Sequence, residues 1–279
     1  MKKMVLAVLG LCTCLTGLQF ASSVSTKAAD TKSVPLTNLE SGVEYSYDLD
    51  GDGQDETLSY TMDDAGNYIL SVNGENLLSL PLGEWYYGAS LQIADLDGGD
   101  DALDLFAYAY CCSDDIGYSA LYRYENGSLN CLYSGDEDGM YGYIEEVSGN
   151  GLFSLCVDRC VNLDCLIGNH WDLIEYEVAN GLVSRVATDV IEIDKILTPE
   201  GVKKGSLTPV SALSLYTEAD ASSETFTIPE NDLLTPVVIK MAGNDTYVGF
   251  EAADGQIGYL NIADFGYDHP AFTDICLAD

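Results

Sequence analysis

Basic residues are scarce in this 279-residue chain: 11 Lys and Arg stand against 46 Asp and Glu, a formal charge of −35. A surface of that sign repels phosphodiester backbones and anionic lipid headgroups. It excludes nucleic-acid binding and favours divalent cations or basic partners. Histidine is nearly absent, with His170 and His269 alone. Neither lies in a catalytic motif and there is no Gly-x-Ser-x-Gly elbow, so triad-type nucleophilic catalysis has no recognisable base. Tryptophan is limited to Trp85 and Trp171, and nothing resembles a Trp-lined substrate cleft. Phosphate-cradling loops are missing as well, because Gly51, Gly53 and Gly98-Gly99 stand among carboxylates that repel phosphate.

Export is read from the first residues. Met1-Lys2-Lys3 is a positive n-region, Met4 to Phe20 an apolar run, and Ala21-Ser22-Ser23 a small-residue cleavage site. Residues 1–23 are therefore expected to be a secretory signal peptide, cleaved after Ser23 and leaving no membrane span. Leu11 before Cys12 and Thr13 before Cys14 do not suit lipid attachment. The other cysteines are Cys111, Cys112, Cys131, Cys156, Cys160, Cys165 and Cys276. In an oxidising compartment most are expected in disulfides, with one left over. Cys156, Cys160, Cys165 and His170 have the residue types of a zinc site but lack its two separated knuckles. Nineteen Tyr and 47% hydrophobic residues supply a core despite the charge.

Period-two alternation dominates from residue 43 onward. Val43-Tyr45-Tyr47 and Leu58-Tyr60-Met62 alternate with polar residues, and 68–72, 91–94, 103–109, 120–124 and 173–178 also read as strands. Asn73-Gly74, Asn126-Gly127 and Asn180-Gly181 are hairpin turn signals. Residues 186–196 are ambiguous, and no sustained helical period occurs. The chain is expected to be all-β and antiparallel. Tyr47-Asp48-Leu49-Asp50-Gly51 recurs as Ala94-Asp95-Leu96-Asp97-Gly98, and a third unit without an acidic loop can be drawn from about Tyr141 to Val190. Units of roughly 45 residues with four short strands have the size of a propeller blade. The expectation is a partial propeller or stacked sheets over 34–196. A turn at 197–205, with Lys203-Lys204, would separate this region from five short strands at 205–279, suited to a small barrel.

Asp48, Asp50 and Asp52 occupy alternate positions of a tight loop, from which carboxylates can converge on a hard cation. Gly53 allows a sharp turn, Gln54 can offer its carbonyl, and Glu56 can close the site. Position 12 is Ser59 rather than Glu and both flanks are strands, so this is a Ca²⁺ loop between β-strands, not an EF-hand. Asp95, Asp97, Asp100 and Asp104 form a candidate second site, with Gly99 where the first loop has its third Asp.

These loops resemble the FG-GAP or VCBS type of β-propeller repeat, in which an Asp-rich loop links the strands of a blade. Asp48, Asp50, Asp52 and Glu56 match position by position, while Gly99 departs. Residues 40–190 also resemble exported proteins of anaerobic Gram-positive bacteria, through Ser113-Asp114-Asp115 and Tyr122-Arg123-Tyr124. The C-terminal segment resembles a bacterial SH3-like domain at Leu213-Ser214-Leu215-Tyr216, Ser222-Ser223, Asp254 to Leu260 and Asp264-Phe265. That resemblance implies binding of peptidoglycan or peptides. The expected function is a secreted or cell-surface, calcium-binding, non-catalytic binding protein, recognising cell-wall peptide or glycan or another extracellular protein. The alternatives are a secreted hydrolase using an unrecognised carboxylate pair and a structural envelope component.

Overall fold

Residues 35–111, 116–158, 163–179, 181–198, 201–266 and 268–276 are described by a computed structural model. The expected signal peptide, Cys112 to Asp115 and Cys160 lie outside them. The chain is all-β, as the alternation predicts, and its strands run antiparallel in three sheets.

The first three sets of four strands each form a meander in chain order. β2 (Tyr45–Tyr47), β3 (Glu56–Met62), β4 (Asn67–Val72) and β5 (Glu75–Pro81) make one sheet. β6 (Gly88–Ala94), β7 (Asp104–Tyr110), β8 (Ile116–Glu125) and β9 (Ser128–Ser134) make the second, with β1 (Thr37–Leu39) on the free edge of β6. β10 (Gly142–Val147), β11 (Leu152–Asp158), β12 (His170–Ala179) and β13 (Leu182–Arg185) open the third. Asn73-Gly74, with φ of 52° and 76°, turns β4 into β5 as a two-residue hairpin with positive φ at both positions. Two single-turn helices, α1 (Gly135–Asp138) and α2 (Asp164–Ile167), interrupt the strands. Among the described residues, no helix is long and apolar enough to cross a membrane.

Side-chain alternation shows how these sheets layer. In β7, Leu105 and Ala107 join one buried cluster with Leu58, Leu70 and Val72 of the first sheet. Phe106 and Tyr108, pointing the other way, join a second cluster with Phe153, Leu155 and Tyr176 of the third sheet. The second sheet is thus a central layer covered on both faces, which is why β7 reads as a nearly continuous apolar run. Gln92 of β6 stitches the layers. Its buried amide donates to the Ile144 carbonyl and accepts from the Ile144 amide, both at 2.9 Å. An edge backbone that would otherwise be buried unpaired is satisfied in this way.

The third sheet continues through β14 (Val190–Thr198), with β15 (Gly201–Lys203) beside it, into β18 (Leu234–Ala242), β19 (Asp245–Ala252), β20 (Ile257–Asn261), β16 (Leu213–Tyr216) and β17 (Thr225–Ile228). The ambiguous stretch at 186–196 is largely β14, and the five strands read in 212–262 are β16 to β20. The closed barrel expected for 205–279 is corrected by the pairing: no sheet closes among the described residues. β14 pairs β18 across the expected boundary, Val190 with Lys240, Ile191 with Ile239 and Glu192 with Val238. The edge of β18 that closure would have satisfied is taken by β14 instead.

Candidate metal centre

The three meanders place equivalent connections side by side. The loop at 48–55 joins β2 to β3, the loop at 95–103 joins β6 to β7, and the turn at 148–151 joins β10 to β11. Leu49 and Leu96, 47 residues apart in the repeat, are both fully buried. Each passes its carbonyl to the next unit: Leu49 O accepts from Leu103 N at 3.0 Å, and Leu96 O from Gly151 N at 2.8 Å. The first loop also rests directly on the second. A Cβ on Gly51, whose φ is 75°, would lie 2.9 Å from the Asp101 carbonyl carbon, a contact only glycine permits.

Within the first loop, one carboxylate oxygen each from Asp48, Asp50 and Glu56 lies within 4.8 Å of the others. Oxygens bound to a single Ca²⁺ at about 2.3–2.6 Å span up to about 5 Å, so this spacing fits one ion. Glu56, at the start of β3, is buried and accepts the Leu49 amide at 3.0 Å. Burial raises its pKa; the Leu49 N–H pulls it back, and Asp50, Asp52 and Asp48 push it up again. Asp48 Oδ2 accepts from Gly53 N at 3.0 Å, whereas its Oδ1 is buried with no hydrogen-bond partner. Among the described residues, no Lys or Arg pairs with these acids. An orphaned buried oxygen beside two more carboxylates is the environment a hard cation relieves.

Asp52 is not brought into that group. Asp52 accepts from the Gln54 amide at 2.7 Å and from Gln54 Nε2 at 3.1 Å, so the two side chains occupy each other.

The second loop has a different occupant. The Leu96 amide bonds the Asp104 carboxylate just as Leu49 bonds Glu56, making Asp104 the counterpart of Glu56. Asp104, however, is gripped from both oxygens by Arg123, its cross-strand neighbour on β8, with Nε at 2.9 Å and Nη2 at 3.0 Å. Arg123 Nη1 reaches Asp100 at 2.7 Å. Burial pushes Asp104 up to about 6 against the pull of the guanidinium, which itself stays charged. Asp95 is raised as well, first by burial and then by Asp100 and Asp97. A guanidinium therefore supplies the second loop with an internal cation. Asp95, Asp97, Asp100 and Asp104 do not converge as the first set does.

A further cluster had no sequence signal. Glu145, Cys156 and Asp194 also converge within 4.8 Å. Lys195 Nζ lies 2.7 Å from Asp194, 3.7 Å from Glu145 and 3.1 Å from the Tyr143 hydroxyl, so the cation is already present. Burial pushes the Cys156 thiol up to about 12, leaving it protonated and a poor metal ligand. Cys131, Cys156, Cys165 and Cys276 carry free thiols, against the disulfides expected for most of the set. Three of them donate to local acceptors instead: Cys131 to Tyr133 O, Cys156 to Asp194 and Cys276 to Asp274 O. His170 is buried, with Nδ1 3.0 Å from the Gly168 carbonyl, and does not assemble a zinc site with Cys156 among the described residues.

Compared with known proteins, the chain matches no family model, no curated sequence and no solved structure.

Proposed function

We propose that this chain is an exported, non-catalytic binding protein whose first acidic loop holds a structural Ca²⁺ ion through Asp48, Asp50 and Glu56. The observation that carries this reading is the convergence of those three carboxylates, together with an Asp48 Oδ1 buried without a hydrogen-bond partner and no basic side chain in contact among the described residues. Asp52 would support the loop from outside the coordination set. The ion would tie β2 to β3 and, through the Leu49 carbonyl, the first meander to the second.

Three successive four-stranded meanders, with equivalent connections stacked at one end, support a blade-like reading of the N-terminal region as part of a propeller-type array. The order of β16 to β20 and the Asp254 to Leu260 hairpin support an SH3-like reading of the C-terminal strands, opened at the β14–β18 junction. Near that junction lies a cleft of about 400 Å³ lined by Thr198, Lys203, Lys204, Gly205, Ser206, Leu207, Leu233 and Asp274. Lys204, in an otherwise acidic protein, suits an anionic group there, such as the carboxylate of a cell-wall peptide.

Thermal melts in chelator and in calcium test the metal reading. Exported calcium modules bind at about 10⁻⁴ to 10⁻³ M, so about 10 mM calcium stabilises by roughly 1.4–2.7 kcal/mol. At this chain length that is a rise of about 3–10 °C in Tm. Magnesium at the same concentration should do much less. No rise with calcium would sink the reading.

A further inference from the structure

Residues 83–87 connect β5 to β6 and carry the most exposed aromatic rings of the described chain. Trp85 is 77% exposed and Tyr87 58%. Aromatic side chains of this size are usually covered, and two left exposed on one short loop mark an interaction surface. The loop that presents them is fixed at several points. Tyr86 Oη donates to the Gly117 carbonyl at 2.7 Å, Tyr86 N to Gly83 O at 3.1 Å, and Tyr87 N to Tyr110 O at 3.2 Å. The Tyr87 ring stacks on Tyr110 with centroids 6.4 Å apart and planes 22° apart. A rigid platform pays little ordering entropy when a partner binds.

The charge around the platform identifies the partner's sign. Glu84 is exposed next to Trp85. Over the whole chain the formal charge is −35. Ring faces carry negative quadrupole potential and bind lysine ammonium or arginine guanidinium groups, and a net negative field draws such partners in.

We propose that Trp85, Tyr87 and Tyr110 form a docking platform for a lysine- or arginine-bearing segment of a partner protein. The site is independent of the calcium loop and of the cleft at Lys203 and Lys204. Each exposed cation–π contact strengthens binding roughly threefold, so two rings together account for about tenfold.

The test is a calorimetric titration of octalysine into the full chain and into the Trp85→Ala/Tyr87→Ala double variant, which leaves the charge unchanged. N-acetylglucosamine tetramer serves as the neutral probe. The native chain should bind octalysine and the double variant should bind it about tenfold more weakly at an unchanged Tm. Trp85→Phe, which keeps a ring, should stay within threefold of native. No binding by the native chain, or a loss of less than threefold in the double variant, would overturn the proposal. So would binding of the tetramer that the double variant abolishes, because the platform would then be a sugar-stacking surface.

Discussion

Replacing Arg123 with methionine keeps most of the aliphatic stem and removes the guanidinium that neutralises the second acidic loop. The Arg123 side chain is 6% exposed and the Asp104 side chain is fully buried, so Arg123→Met leaves a carboxylate uncompensated in the interior. Breaking a buried pair from one side costs about 3–5 kcal/mol. Asp100, more exposed, adds little to that figure. For a chain of this length each kcal/mol lowers Tm by roughly 2–4 °C, so the variant should melt about 6–20 °C below native at neutral pH. Acid provides the diagnostic. Asp104 already sits at about 6 in the folded protein, held down by Arg123, and loss of the arginine lifts it further. A carboxyl with a folded pKa above its unfolded value of about 4 takes up protons more readily when folded. Its unfavourable contribution is then full above the folded pKa and fades as pH falls towards the unfolded one. Circular-dichroism melts of both proteins in the same chelated buffer should show the gap narrowing between pH 7.5 and pH 4.5. A neutral-pH gap below about 3 °C, or one of equal size at both pH values, would refute uncompensated charge as the cause.

Two glycines in the first loop separate backbone conformation from packing. Gly51→Ala adds a Cβ against the Asp101 backbone as well as a positive φ, costing roughly 2–4 kcal/mol, whereas Gly53→Ala, with open space around it, meets the φ of 87° alone and costs about 1 kcal/mol. Urea melts rank the two, and equal costs would contradict the loop-on-loop contact. Cys156, buried with its thiol raised to about 12, should resist iodoacetamide in the folded protein and react once the chain is unfolded. Peptide mapping that finds Cys156 alkylated under native conditions would disprove its burial beside Asp194.

The strands were legible because each buries one face or two. Leu58, Tyr60 and Met62 alternate, and the Asn-Gly pairs mark turns that need two positive φ values. The repeat was legible because Asp-Leu-Asp-Gly returns after 47 residues, and its Leu positions prove to be the ones that pass a carbonyl to the next unit. Three features could not be read. Arg123 lies 19 residues from Asp104, and only the β7–β8 register makes them neighbours, so the second acidic loop read as a candidate second metal site. Asp52 looked like a ligand from its spacing, but Gln54 is near enough to occupy it. The turn residues at 197–205 resemble a domain boundary, yet they fold β15 back onto one end of a β14 edge, and the rest of that same edge takes β18. Local signals report where strands end; they do not report which distant edge a strand will take.

The comparison of the two loops makes a definite count. Titrating calcium into metal-free protein by calorimetry should give one equivalent per chain, with a dissociation constant of about 10⁻⁴ to 10⁻³ M. Glu56→Gln should weaken that binding at least tenfold, and Asp104→Asn should leave the stoichiometry unchanged. No calcium binding, or a second equivalent in the native protein, would contradict the assignment of an ion to the first loop and an arginine to the second.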